Sequence, residues 1–429
     1  MAEYKSLSPQ QLRRELEALR QQYEAAQKKG LRLDMSRGKP GVTQLALSLG
    51  ALDAVGSASS LKAEDGTNVC NYGAPLGLYE ARRLMGEILE LPPEQVIMGG
   101  NSSLNLMFDC VSQAYTHGLP GGKGPWCRQE TVKFLCPVPG YDRHFAVTGH
   151  FGIEMIPVPM TESGPDMDVV EKLVAGDDAV KGIWCVPKYS NPTGYTYSDE
   201  TVRRFGALSP AAGDFRIYWD NAYAVHHLYA TDGKKDTLLN LMEELEKTGR
   251  EDMAFLFTST SKITFSGAGI AAVAASKTNI DCLNRRFALQ TIGHDKVNQL
   301  RHVRFLRDIT GIEAHMKRHE ALLRPKFELV VRALSRELGP LGIASWTNPR
   351  GGYFISFDTL PGCAKRVIAL CGKAGVTMTP AGATFPLGQD PEDKNVRIAP
   401  TFPDMEELRE ATDLFCLCVK IASLEKLIG

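Results

Sequence analysis

Between residues 132 and 258 the chain repeats one pattern: a short apolar run of strand length, then a stretch long enough for a helix. The runs are residues 132–136, 183–186, 215–219 and 255–258, and helical stretches such as 198–209 and 236–247 separate several of them. Runs that are apolar throughout suit strands covered on both faces. Strands that alternate with helices build a mostly parallel sheet. The predicted class is therefore α/β. In such sheets ligands sit beyond the carboxyl ends of the strands, so the residues just after each run are where chemistry is expected.

The flanks read differently. Residues 8–29 form a polar helix, capped at Ser6 or Ser8 and stopped at Gly30, with Leu12, Leu16 and Leu19 as a narrow apolar stripe. Residues 78–91 and 102–116 are two further helices. From 295 to about 338 the pattern is helical and charged, with an interruption expected at Pro325, and it leads into a second domain. Residues 353–357 then read as a strand and 405–427 as a terminal helix. A chain of 429 residues exceeds what one core organises. The expected division is 1–50 as an N-terminal arm joining the small domain, 51–300 as the large domain, and 301–429 as the small C-terminal domain.

Charge excludes some functions. The formal net charge of -1 gives no global field to draw nucleic acid or an anionic membrane. No apolar run approaches the roughly 20 residues that span a bilayer. The start, Met-Ala-Glu-Tyr-Lys-Ser, has no apolar signal core. Ten cysteines without a CxxC pair read as reduced, mostly buried thiols rather than a metal site, which fits the cytoplasm.

Four motifs follow predicted strands or open helices. Gly99-Gly100-Asn101-Ser102-Ser103 opens a helix, where free N–H groups and the dipole can hold a phosphate; an ordinary N-cap reads the same way. Asn191-Pro192-Thr193-Gly194 is by itself a turn. Asp220-Asn221-Ala222-Tyr223 places a carboxylate after a buried strand, where its charge needs a partner such as a protonated pyridine nitrogen. Ser259-Thr260-Ser261-Lys262 sets a lysine among hydroxyls that can grip a phosphate while the amine condenses with a carbonyl; alone it could be a solvated loop.

In this order and spacing the motifs resemble the fold type I enzymes that use pyridoxal 5′-phosphate (PLP), specifically class I aminotransferases, over nearly the whole stretch from Arg37 to Arg397. The resemblance implies a large PLP-binding domain with a mostly parallel central sheet flanked by helices, plus a smaller discontinuous α+β domain. It also implies residue roles. Lys262 looks like the lysine that holds PLP as a Schiff base and moves the proton. Asp220 resembles the partner of the pyridinium nitrogen. Tyr223 and Asn191 resemble the groups at the cofactor's phenolic oxygen, and Tyr141 the ring that stacks on it. Asn101, Ser102, Ser259 and Ser261 match the phosphate cup. Tyr72 resembles the tyrosine that reaches the phosphate of a neighbouring subunit, so a homodimer with shared sites is implied. Arg397 resembles the clamp for the substrate α-carboxylate, with Gly38 and Asn191 beside it.

One departure stands out. Most relatives carry an arginine shortly after the lysine, and here Ile263-Thr264-Phe265-Ser266-Gly267-Ala268-Gly269-Ile270 holds no cation. This variant resembles a less common subgroup that contains aspartate aminotransferases. The expected reaction moves an amino group from aspartate, or another dicarboxylic amino acid, to 2-oxoglutarate. Loop cations Arg37, Lys39, Arg143, His144 and Lys188 are candidates for a second carboxylate. The alternatives are β-elimination, decarboxylation, or an aminotransferase of broad or aromatic specificity. A DNA-binding regulator with an aminotransferase-like domain is disfavoured, because only about 35 residues precede Arg37, too few for a winged-helix reader.

Overall fold

The apolar runs become the inner strands of an eight-stranded sheet in the computed structural model, which describes residues 3–429. The spatial order is Val96–Met98, Ala271–Ala275, Ala254–Ser259, Arg216–Asp220, Val180–Cys185, Lys133–Val138, Glu154–Thr161 and Gly164–Pro165. From Ala254–Ser259 across to Glu154–Thr161 every pairing is parallel. Ala271–Ala275 runs antiparallel to both its neighbours, and Gly164–Pro165 antiparallel to Glu154–Thr161. The three middle strands are buried at every residue, because successive side chains enter opposite cores. Ile183, Ile217 and Leu256 pack on one face with Leu84 and Phe205. Trp184, Tyr218, Phe255 and Phe257 pack on the other with Phe134 and Trp126.

The smaller α+β part holds an antiparallel sheet in the order Ala344–Trp346, Ile355–Thr359, Asn395–Ile398. Leu33–Asp34 pairs in parallel with Val376–Thr377, which ties the N-terminal region to it. The helix Pro9–Lys28 begins at Ser8, whose side chain and that of Gln11 cap each other's backbone. Its leucines share a core with the terminal helix Met405–Ile428. Tyr23 Oη donates to the Leu370 carbonyl at 2.7 Å, and Arg20 pairs with Glu425 at 3.0 Å.

Two helix expectations need correction. The break in the long charged segment falls at Arg307 and Asp308, not at Pro325. Arg307 has φ 67°, and Asp308 caps a new helix by accepting from Gly311 N–H. That helix, Ile309–Glu337, runs through Pro325; Ile312 and Met316 join the sheet core that holds Ile183, Ile217 and Leu256, and Leu323, Phe327, Val330 and Leu334 join the core shared with the terminal helix. The expected helix over 236–247 is confined to Leu241–Glu246, because Asn240 accepts from the N–H groups of Met242 and Glu243 and starts the helix there. No helix among the described residues is long and apolar enough to cross a membrane.

Candidate active site

Every inner parallel strand ends beside a motif residue. Asp220 closes Arg216–Asp220, Ser259 closes Ala254–Ser259, Asn191 follows Val180–Cys185, and Tyr141 follows Lys133–Val138. Together with the smaller part they enclose a cleft of about 580 Å³. Gly38, Tyr141, Asn191, Tyr223, Lys262 and Arg397 line it, as do Arg37, Lys39, Asp142 and Arg143. A Cβ on Gly38 would lie 2.4 Å from the Phe354 ring, so that loop passes flat against an aromatic wall of the cleft.

Lys262 Nζ lies 5.0 Å from the Tyr223 ring centre and 5.8 Å from that of Tyr353. Burial lowers its pKa; Asp220 opposes the shift and Arg397 adds to it. Tyr353 Oη donates to the Lys262 carbonyl at 3.4 Å and accepts from Gln44 Nε2 at 3.0 Å. Burial, then the charges of Tyr141 and Asp220, raises the Tyr223 phenol well above its ordinary value.

Asp220 is buried. Its Oδ2 lies 3.1 Å from His144 Nε2, while its Oδ1 is buried without a partner. An orphaned carboxylate oxygen at a strand end is costly unless a ligand satisfies it. His144 is stacked on Trp184 with ring centres 4.5 Å apart. Arg143 and His144, expected from the sequence to be loop cations, are not in a loop. Both lie on the helix Asp142–His150, and His144 is a buried neighbour of Asp220 rather than a rim charge. Lys188 is likewise displaced: it lines a separate cavity of about 230 Å³ with His227 and Lys235.

The hydroxyl cluster assembles as a unit. Ser259 Oγ donates to Ser261 Oγ at 3.1 Å, Ser261 Oγ to the Asn101 carbonyl at 3.1 Å, and Asn101 Nδ2 to the Gly267 carbonyl at 3.2 Å. Ser102 caps the helix Ser103–His117 by accepting from Leu104 N–H at 3.2 Å. Four strand-end and loop residues thus surround a helix N-terminus, a geometry that suits an anion. Tyr72 does not line the cleft of its own chain; it is 82% exposed. Lys296 is buried and donates to the Gly73 carbonyl at 3.1 Å, beside Tyr72.

Arg397 is 6% exposed. Its Nη1 donates to Asp142 Oδ1 at 2.8 Å and to Asn191 Oδ1 at 3.3 Å, and its guanidinium lies over Phe354. Nothing in the sequence marks Asp142 and Tyr353 as site residues, and it points to His144 only as a loop cation, not as the neighbour of Asp220.

The family model described as aspartate amino-transferase matches residues 7–429. The chain belongs to the aspartate aminotransferase family. It is an aminotransferase. An aspartate aminotransferase of Corynebacterium glutamicum is 46% identical over 409 residues, covering 95% of this chain and 94% of the relative. The crystal structure of an aspartate transaminase from the same species superposes with a TM-score of 0.94 at 44% identity, covering 98% of each chain. An α-aminoadipate aminotransferase of Thermus thermophilus, solved with N-(5′-phosphopyridoxyl)-L-leucine, shares the fold with a TM-score of 0.73 at 20% identity, over 92% of this chain and 93% of that one. The α/β expectation and the recognition of the family both hold.

Proposed function

We propose that this aminotransferase uses PLP held on Lys262 and moves an amino group from aspartate, or another dicarboxylic amino acid, to 2-oxoglutarate. The observation that carries the cofactor assignment is the orphaned Asp220 Oδ1 below a cleft that contains a half-buried lysine. That oxygen fits a protonated ring nitrogen, and the cluster of Ser259, Ser261, Asn101 and Ser102 fits a phosphate. When bound, PLP supplies an electron sink for the pair released at the substrate Cα.

This chain's residues do the rest. Asp220 would keep the proton on the ring nitrogen, with His144 fixing its other oxygen. Tyr223 and Asn191 would hold the phenolic oxygen, and Tyr141 would cover the ring. Arg397 would grip the α-carboxylate and so orient the Cα proton. Lys262 would carry that proton away from Cα, a task that suits an amine whose burial disfavours the charged form. The walls formed by Phe354 and Tyr141 would limit water at the reacting carbon.

The dicarboxylate preference rests on cations. Arg37 and Arg143 line the cleft and have no ion-pair partner among the described residues, whereas Lys39 lies 3.7 Å from Asp34 and over the Phe402 ring. A second carboxylate entering the cleft needs such a partner, and an apolar side chain would leave it unpaired. The test is kcat/KM for aspartate, alanine, phenylalanine and lysine with 2-oxoglutarate as acceptor. Aspartate should lead; alanine or phenylalanine ahead by tenfold, about 1.4 kcal/mol, would sink the preference.

We also propose a homodimer with shared sites, in the cytoplasm. Exposed Tyr72, Leu289 and Ile292 give an apolar surface for a second copy. The free thiols, mostly buried, suit a reducing compartment.

A further inference from the structure

Arg397 has two arms in unlike situations. Nη1 carries two N–H bonds, and both have acceptors: Asp142 Oδ1 at 2.8 Å and Asn191 Oδ1 at 3.3 Å. Nε is buried and unpartnered, and Nη2 makes no bond within the described chain. A guanidinium holds a carboxylate in two-point fashion either side-on, through Nε and one Nη, or end-on, through both Nη groups. Burial of Nε closes the side-on approach. The end-on approach needs an N–H of Nη1, and Asp142 or Asn191 must release it.

Asp142 is the one placed to do so. Its side chain is 32% exposed against 7% for Arg397, it lines the cleft, and it begins the helix Asp142–His150. Asn191 is buried. Asp142 also presents the same chemical group as the incoming ligand. Two carboxylates cannot both take the strongest contact on one arm, and an anion left beside another is repelled.

We propose that Asp142 is an affinity-setting residue that occupies Arg397 in place of the substrate α-carboxylate and yields it when substrate binds. This rests on the reading of Arg397 as the α-carboxylate clamp, but not on any side-chain preference. Because the amino acid and the 2-oxo acid share that carboxylate, Asp142 weakens both to the same degree. The cost falls on binding in general rather than on the chemical step, so it enters KM and leaves kcat nearly unchanged.

The test uses the PLP-loaded enzyme and its Asp142→Asn variant, which keeps shape and an acceptor oxygen but removes the charge. Calorimetry measures the Kd of two unreactive carboxylates, succinate and propionate, and steady-state kinetics measure KM for donor and acceptor. Both Kd values and both KM values should fall together, by about tenfold, or about 1.4 kcal/mol. In an Arg397→Ala background the effect of Asp142→Asn should vanish, as expected for two groups that act through one contact. Kd values that stay the same or rise in Asp142→Asn overturn the proposal; a rise would make Asp142 a support for Arg397 rather than a competitor. Arg397→Ala that still bound succinate normally would sink the clamp assignment itself. Succinate binding no tighter than propionate to the unmodified enzyme would count against the dicarboxylate preference alone.

Discussion

Asp220 presents one oxygen to a histidine and leaves the other buried without a partner, and that division predicts two different mutant phenotypes. Asp220→Asn removes the carboxylate charge at the unpartnered oxygen, so kcat should fall roughly a hundredfold or more, a barrier higher by about 3 kcal/mol, while the cofactor still binds. His144→Asn removes only the buried group on Oδ2 and should cost less. Stopped-flow turnover with the cofactor's absorbance as a loading control checks both; Asp220→Asn at near-normal kcat, or His144→Asn the worse of the two, would contradict the assignment. At this scale the sequence was legible where chemistry restricts residue type. A lysine among hydroxyls and an acid after a buried strand are unusual enough to be noticed. The pairing of His144 with Asp220 and of Asp142 with Arg397 was not, since the partners lie 76 and 255 residues apart in the chain. A pair that distant leaves no local pattern.

Strands were read from their apolar runs, and those runs became Lys133–Val138, Val180–Cys185, Arg216–Asp220 and Ala254–Ser259 with ends moved by a few residues. Ala271–Ala275 and Glu154–Thr161 went unread: the first is nearly all alanine and the second carries two prolines, so neither has a strand's usual composition. The helices Lys296–Leu306 and Ile309–Glu337 do more than connect. His302 Nε2 lies 2.9 Å from Thr264 Oγ1, and His315 Nε2 lies 2.8 Å from the Ile263 carbonyl, so these helices brace the turn that carries Lys262. Burial lowers His302 to about 4 and His319 to about 3. An unfolded histidine takes its proton near pH 6.5. Between that pH and the folded values the unfolded chain binds more protons, so stability is lost as pH falls. Thermal melting should drop from about pH 6.5 toward pH 4, and His319→Gln should flatten the drop. Equal slopes in both proteins would remove His319 from the explanation.

For the whole molecule, the α/β fold with a large, mostly parallel sheet was legible because apolar runs that alternate with helical stretches announce it. The assembly was not, because a surface residue such as Tyr72 shows no partner within its own chain. If sites are shared, Lys262→Ala and Tyr72→Ala enzymes should each be impaired, and mixing them after dissociation should regain activity, since one of the two sites in each hybrid is intact. Light scattering should report a dimer. A fully active monomer, or no recovery on mixing verified hybrids, would rule out sharing.

Borohydride reduction of the PLP-loaded enzyme, followed by peptide mass mapping, tests the role of Lys262 most directly. One phosphopyridoxyl group per chain on the peptide containing Lys262 is the expected result, with none in Lys262→Ala. Labelling of another lysine in the unmodified enzyme, or transamination by Lys262→Ala at the normal rate, would contradict it.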